Sequence, residues 1–259
     1  KAAFMTAAKL GSSVGVSEST VVRFAIELGF SGYPSLQKSL QELIKNKLTT
    51  VQRLDLSNDY ICNGYTLKGV LKADMENIRA TMEKINYSTF EDVVNNIFEA
   101  KRIYIVGLRS SMALAEFLGF YLNVILQNVK TVGYGISDIF EEMINVGEGD
   151  LVIGIGFPRY ANRTIDVLSF AQDRGATVVA LTDSIVSPLA QRADYALIAQ
   201  SNMASFVDSL VAPLSVINAL IIAVGLRQKE SVSTTFNSLE EIWKEYNVYS
   251  YNHNNDDEF

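Results

Sequence analysis

Cysteine and histidine are almost missing from this chain: 259 residues contain one of each, Cys62 and His253, and a single tryptophan. A lone cysteine excludes an intrachain disulfide. With one histidine besides, the tetrahedral ligand set of a structural zinc site cannot be assembled. No apolar run reaches the roughly eighteen residues that span a bilayer, and no secretory hydrophobic core opens the sequence. These absences point to a globular protein in a reducing cytoplasm, without membrane association, bound metal or cofactor. No Walker-type Lys-Ser/Thr loop and no nucleophile–base pair is visible either.

What is present is unevenly distributed. The net charge is −7, which argues against coating nucleic acid along the whole chain. Residues 1–48, however, hold six basic residues against three acidic ones, and the remaining residues hold 16 against 26. A small basic module therefore precedes an acidic one, an arrangement suited to a phosphate contact at one end only. The length itself suggests two domains.

Residues 4–44 lack strand alternation and read as short helices over Phe4–Leu10, Ser17–Leu28 and Pro34–Ile44, with a turn at Gly15-Val16. Ser17 suits an N-cap, Glu18 complements the positive end of the helix dipole, and Gly29 ends the helix. A polar stretch around Asn46 to Gly64 reads as a linker over 49–66, and helical periodicity resumes at Leu67–Ile85 and Phe90–Ala100. From residue 102 short apolar strands alternate with helices. The strong strands are Ile103–Gly107, Leu151–Ile155 and Thr177–Leu181, and the weaker ones Val129–Val132 and Tyr195–Ile198. Helices are expected over Met112–Leu126, Asp138–Ile144, Asn162–Arg174 and Phe206–Arg227. The fold class is therefore α/β: a helical N-terminal domain followed by a doubly wound parallel sheet. Ligands of such sheets bind beyond the carboxyl ends of the strands, which directs attention to the loops after Val106, Ile155 and Leu181.

Two segments carry chemistry. On the helix from Ser17 to Leu28, one stripe holds Val21, Ala25 and Leu28, while Ser19, Thr20 and Arg23 project from another. An arginine with small hydroxyls near a helix N-terminus can enter a major groove; the same pattern also fits a three-helix cap with a solvated polar face. Gly107-Leu-Arg109-Ser110-Ser111 follows the first strong strand, so backbone N–H groups, hydroxyls and a guanidinium converge where a helix dipole is positive, a natural cradle for phosphate or carboxylate. The alternative is an ordinary strand-to-helix turn with Gly107 at the bend and Ser110 as cap.

The run Val16-Ser-Glu-Ser-Thr-Val-Val-Arg-Phe-Ala-Ile-Glu-Leu-Gly-Phe-Ser-Gly-Tyr33 resembles the helix-turn-helix signature of RpiR/MurR-type regulators. The match continues through Leu36, Lys38 and Leu40, and the family architecture covers nearly the whole chain. The resemblance implies a helix-turn-helix DNA-binding domain over 1–48, a SIS phosphosugar-binding domain over 67–247 and a polar tail over 248–259. The family's usual additional N-terminal helix has no counterpart ahead of Lys1, so a truncated N-terminus is expected. It implies further that Ser17, Ser19, Thr20 and Arg23 contact DNA. For the effector it implies Gly107, Arg109, Ser110 and Ser111, together with the second strand loop, Thr182 and Ser205, the last at the start of a long helix.

The second strand loop departs from the family pattern. Where SIS domains carry Ser-x-Ser-Gly-x-Thr, this chain reads Gly156-Phe-Pro-Arg-Tyr-Ala161, so both serines are gone and Phe157, Arg159 and Tyr160 stand in their place. An anion can still be held there by charge and a ring hydroxyl; a different effector or weakened binding also fits. SIS folds also serve sugar-phosphate isomerases, which need a positioned base. His253 lies in the polar tail and reads as disordered rather than catalytic, and Glu141 and Glu142 have no second group to work with, so no catalytic residue is assigned and no enzyme activity is expected. The partners expected are a palindromic DNA operator, a sugar phosphate or related effector, and a second copy of the chain. For that homodimer the apolar helix from Phe206 supplies Leu210, Leu214, Ile217, Ile221 and Val224, with the alternative that this helix simply covers the sheet. Two other readings stay open: a SIS-domain isomerase, and a sensor domain kept only for dimerisation.

Overall fold

The computed structural model describes residues 3, 5–45, 49–54, 66–133, 138–203 and 205–250. Phe4, Cys62, His253, most of the expected linker and most of the polar tail lie outside the described residues. By their contacts the residues group into two compact units: 1–79 with 157–159 and 201–210, and 80–156 with 160–200 and 211–259.

In the first unit, α1 (Ala7–Val14), α2 (Glu18–Glu27) and α3 (Tyr33–Lys45) form the expected helical module. Thr6 caps α1 by accepting from Lys9 N, and Gly15, at φ 75°, closes it. α1 therefore runs past Leu10, where the sequence reading ended it. Gly11 and the serines after it are weak helix formers, and tertiary packing overrides that weakness: a Cβ at Gly11 would lie 2.7 Å from the Val16 carbonyl oxygen, so only glycine admits the chain entering α2 this closely. Ser17 caps α2 by accepting from Thr20 N at 3.2 Å. Val21, Ala25, Tyr33 and Leu36 form the buried centre, with Leu10, Phe30 and Leu40 packed against it. Leu28 is not part of this core, contrary to the expected stripe. It lies one residue beyond α2 and is exposed, because Gly29 at φ 87° turns the chain and Phe30 takes the inward place. The Tyr33 hydroxyl donates to the Met5 carbonyl at 2.8 Å, and burial raises its pKa.

Residues 50–54, within the stretch read as linker, are helical. Arg53 there is buried and donates from Nη1 to both carboxylate oxygens of Asp208 at 3.0 Å. The helix α4 (Thr66–Lys84) follows.

The second unit is built on five parallel strands, β1 (Ile103–Gly107), β2 (Val129–Val132), β3 (Leu151–Ile155), β4 (Thr177–Thr182) and β5 (Tyr195–Ile198), in the order β2-β1-β3-β4-β5. β1 and β3 are buried at every position, because both faces of the sheet are covered. Tyr104, Val106, Val152, Val178 and Ala180 share one cluster with Val167, Leu168 and Ala171 of α8 (Asn162–Asp173) and with Ile139 of α7 (Ile139–Glu142). The alternate residues, Ile103, Ile105, Ile153 and Val179, are equally buried, as the two-residue strand period requires. α6 (Met112–Leu126) packs on β1 and β2, together with α9 (Val211–Arg227), α5 (Tyr87–Glu99) and α10 (Lys229–Glu245). Each large apolar side chain removed from water here contributes roughly 1.5–3 kcal/mol. Before β3 the buried Asp150 carboxylate accepts from Arg102 Nε at 3.1 Å and Nη2 at 2.8 Å, and from Gly147 N at 3.0 Å, which ties the starts of β1 and β3 together.

Two expectations about the long apolar helix need correction. It begins at Val211, not Phe206, because Pro213 lacks an N–H and is compatible only with a first turn. Ile217 and Val224, assigned to a dimer contact, are wholly buried within their own fold; the exposed large apolar residues of α9 are Val211, Ile222 and Leu226. Among the described residues no single helix is long and apolar enough to cross a membrane, and no cluster of His, Cys, Asp or Glu is placed to hold a metal.

Gly11→Ala is expected to destabilise the helical module by about 1–3 kcal/mol, as overpacking against backbone does, with the second unit unaffected. Urea unfolding followed by Trp243 fluorescence and by circular dichroism should separate the two transitions.

Candidate functional site

The strand order 2-1-3-4-5 places a switch point between β1 and β3: the connection leaving β1 runs to one side of the sheet, and that entering β3 returns on the other. Register sets the carboxyl ends side by side, Gly107 opposite Ile155 and Ile155 opposite Leu181. The loops after β1, β3 and β4 therefore emerge along one edge, as the sequence reading required.

At the end of β1, Gly107 is obligatory for packing. A Cβ there would lie 2.6 Å from the Ser111 carbonyl oxygen and 2.9 Å from Ala115 Cβ. The chain then forms a 3-10 turn over Arg109–Ser111 that leads directly into α6. Arg109 sits at φ 57°, a left-handed conformation unusual for a residue with a side chain. Arg109 and Ser110 are exposed and Ser111 is buried, so the guanidinium and one hydroxyl reach solvent at the positive end of α6. Ser110 is not the cap of α6: Ser111 stands at the N-cap position, without a side-chain cap bond.

Further along the edge, Tyr160 donates its hydroxyl to Asp183 Oδ1 at 2.7 Å, and the Thr182 hydroxyl lies 3.4 Å from the same oxygen. Gln200 Nε2 donates to the Asp183 carbonyl at 3.3 Å, and Gln200 N donates to Thr81 Oγ1 at 2.8 Å. Thr182 is fully buried, and its carbonyl accepts from Ala199 N, extending the β4–β5 ladder. Three successive loops are thus joined through Asp183. The sequence reading took in Asp183 only as part of the loop that begins at Thr182 and passed over Gln200, whose position just beyond the weak strand β5 was the available signal.

Phe157, Arg159 and Ser205 belong to the first unit. Phe157 is buried; Arg159 is exposed, adopts φ 66°, and donates from Nη1 to Thr50 Oγ1 at 2.6 Å. Ser205 lies in a bend ahead of α9, not at its start.

The reading face of the helical module is local and simple. Ser17, Ser19, Thr20 and Arg23 are all exposed. Ser17 Oγ lies 2.9 Å from Ser19 Oγ and 2.8 Å from Thr20 Oγ1, so the three hydroxyls form one cluster at the N-terminus of α2, with Arg23 one turn further on.

Comparison with known proteins matches residues 1–47 to the helix-turn-helix domain of the rpiR family and residues 96–223 to the SIS domain. A Haemophilus influenzae protein named as an HTH-type transcriptional regulator is 28% identical over 195 residues, covering 73% of this chain. The chain spans 66% of that relative's length, just under two thirds. The sugar isomerase domain of an RpiR transcription factor from Sphaerobacter thermophilus is 30% identical, with a TM-score of 0.66 over 68% of this chain and 99% of that domain. The Vibrio vulnificus NanR protein, complexed with ManNAc-6P, shares the fold at 19% identity, with a TM-score of 0.61 over 94% of this chain and 87% of that one.

Tyr160→Phe removes the hydroxyl donor to Asp183 without changing ring packing. A loss of about 1 kcal/mol in the second unit is expected, read as a lowered Tm in differential scanning calorimetry.

Proposed function

Since the chain belongs to the RpiR family, which joins a helix-turn-helix to a SIS domain, we propose that it is a cytoplasmic, DNA-binding transcription regulator whose SIS domain senses a phosphorylated sugar or a related anion. The observation that carries this reading is the exposed cluster of Ser17, Ser19, Thr20 and Arg23 at the start of α2, in the basic end of an otherwise acidic chain. Helix N-termini and hydroxyls suit phosphate oxygens, and an arginine one turn further on reaches a base edge. A homodimer would present two such helices to a palindromic operator.

For the effector, the supporting feature is the β1/β3 switch point of the sheet, where Arg109, Ser110 and the backbone of the Arg109–Ser111 turn offer donors to an anion. The phosphosugar class also fits NanR, which is seen with ManNAc-6P. Loss of both serines from the second loop leaves recognition to arginine and tyrosine. The effector must bind one arrangement of the reading helices better than another, since equal affinity for both would shift nothing. The polar segment from Asn46 to Gly64, most of which lies outside the described residues, is the proposed hinge. No positioned base is required by any of this, and the chain acts as a regulator, not as an isomerase.

Arg23→Ala should weaken operator binding by about 1–3 kcal/mol with relaxed sequence preference if it reads a base. A loss that is uniform across sequences, with a shallower salt dependence, would assign it to phosphate instead. Fluorescence anisotropy across a salt series distinguishes the two, and a chain that binds no DNA fragment at low salt would overturn the regulator reading. Separately, sugar phosphates and sugar acids should raise the Tm of the full chain in proportion to occupancy. Arg109→Ala should abolish that rise; an unchanged dose response would rule out the turn after β1 as the effector site.

A further inference from the structure

The carboxyl edge of the sheet carries an acid as well as a cation, and the strand register relates the two. Gly107, Ile155 and Leu181 are level across β1, β3 and β4. Arg109 and Asp183 each stand two residues beyond that level, on the loops after β1 and β4. Only β3 separates these strands, so the two loops leave the sheet two strand spacings apart, roughly 9–10 Å. Both residues belong to the second unit.

The Asp183 carboxylate has one oxygen engaged and one available. Oδ1 accepts from the Tyr160 hydroxyl at 2.7 Å and lies 3.4 Å from the Thr182 hydroxyl. Among the described residues no donor reaches Oδ2 and no cation pairs with Asp183. The residue is half-buried, and Oδ2 stays open to solvent. Its backbone is fixed too: the carbonyl accepts from Gln200 Nε2 at 3.3 Å, and Gln200 N donates to Thr81 Oγ1 at 2.8 Å. Nearby, Arg163 at the start of α8 is taken by Asp138 at 3.3 Å, whereas Arg109 is exposed and has no carboxylate partner among the described residues.

This layout has two unlike ends. Arg109, Ser110 and the positive end of α6 suit one anionic group. A fixed carboxylate about the length of a sugar phosphate away suits a donor, either hydroxyl or ammonium, because an ionised carboxylate only accepts hydrogen bonds. The same charge repels a second anion on the ligand. Resting on the reading of this edge as the effector site, we propose that Asp183 selects the effector by charge: a sugar with a single phosphoryl group, hydroxyl or amino donors at its far end, and no second acidic group.

Isothermal titration calorimetry of the full chain with matched ligand sets tests this. Each set holds an aldohexose 6-phosphate, its 2-amino derivative and the corresponding 6-phosphoaldonic acid, in the gluco, manno and galacto configurations, so that members of a set differ only away from the phosphate. In a set that binds, the aldonic acid should bind at least about 10-fold more weakly than the aldose phosphate. Asp183→Asn keeps an oxygen for the Tyr160 hydroxyl and removes the charge. It should tighten the aldonic acid and weaken the amino sugar, shifts of opposite sign that a damaged fold cannot produce. Arg109→Ala should instead weaken every member alike. An aldonic acid that the wild type binds as tightly as its aldose phosphate overturns the proposal, and so does a preference that Asp183→Asn leaves unchanged; in both cases the effector reading stands. If no member of any set binds the wild type, that reading falls and the proposal falls with it.

Discussion

The closeness of α6 to the end of β1 constrains much of the second unit. A Cβ at Gly107 would collide with the Ser111 carbonyl and with Ala115, so the strand passes into the helix with no space between them. That approach forces the intervening residues into a tight 3-10 turn and Arg109 into a left-handed conformation, and it leaves the guanidinium and Ser110 in solvent at the helix N-terminus. The same tight fit recurs over the middle of α6, where a Cβ at Gly119 would meet Thr131 Oγ1 at 2.0 Å. Close helix–sheet packing and a potential anion site are thus one feature, because the packing aims the donors.

The strand-end loops show how such a site is stiffened. Asp183 receives the Tyr160 hydroxyl on its side chain and the Gln200 amide on its backbone, and Gln200 is in turn fixed through its own N–H to Thr81. The loops after β3, β4 and β5 are coupled through one acidic residue, so a change at Tyr160 bears on more than one loop. Arg159, in the same sequence loop as Tyr160, is held by Thr50 in the first unit. Segment 50–54 is also fastened by the ion pair of the buried Arg53 with Asp208, which gives this part of the proposed hinge a defined structure.

The parallel sheet, its five strands and the three loops of interest were legible in the sequence because strands buried on both faces read as uninterrupted apolar runs. The three helices of the N-terminal module were legible as well, with Ser17 as cap, because capping is a local property of neighbouring residues. Helix limits were less so. α1 outran its expected end because Gly11 is favoured there by a close approach of the chain before α2, which no local propensity records. α9 started later than expected at a place where Pro213 was the available signal.

What only the tertiary structure decided is which side of each helix faces inward. Leu28 reads as a core residue by periodicity, but the turn at Gly29 leaves it outside; Ile217 and Val224 read as an interface, but the fold uses them itself. α4 is the sharpest case, since its apolar stripe would ordinarily point to the core, whereas the hydrogen bonds of Asp74, Asn77 and Thr81 turn it outward. Sequence determines local conformation and the period of the hydrophobic pattern through interactions a few residues apart. The partner of an apolar face depends on groups distant along the chain, such as Asn202 and Ser209 for α4, and only the folded chain brings those together.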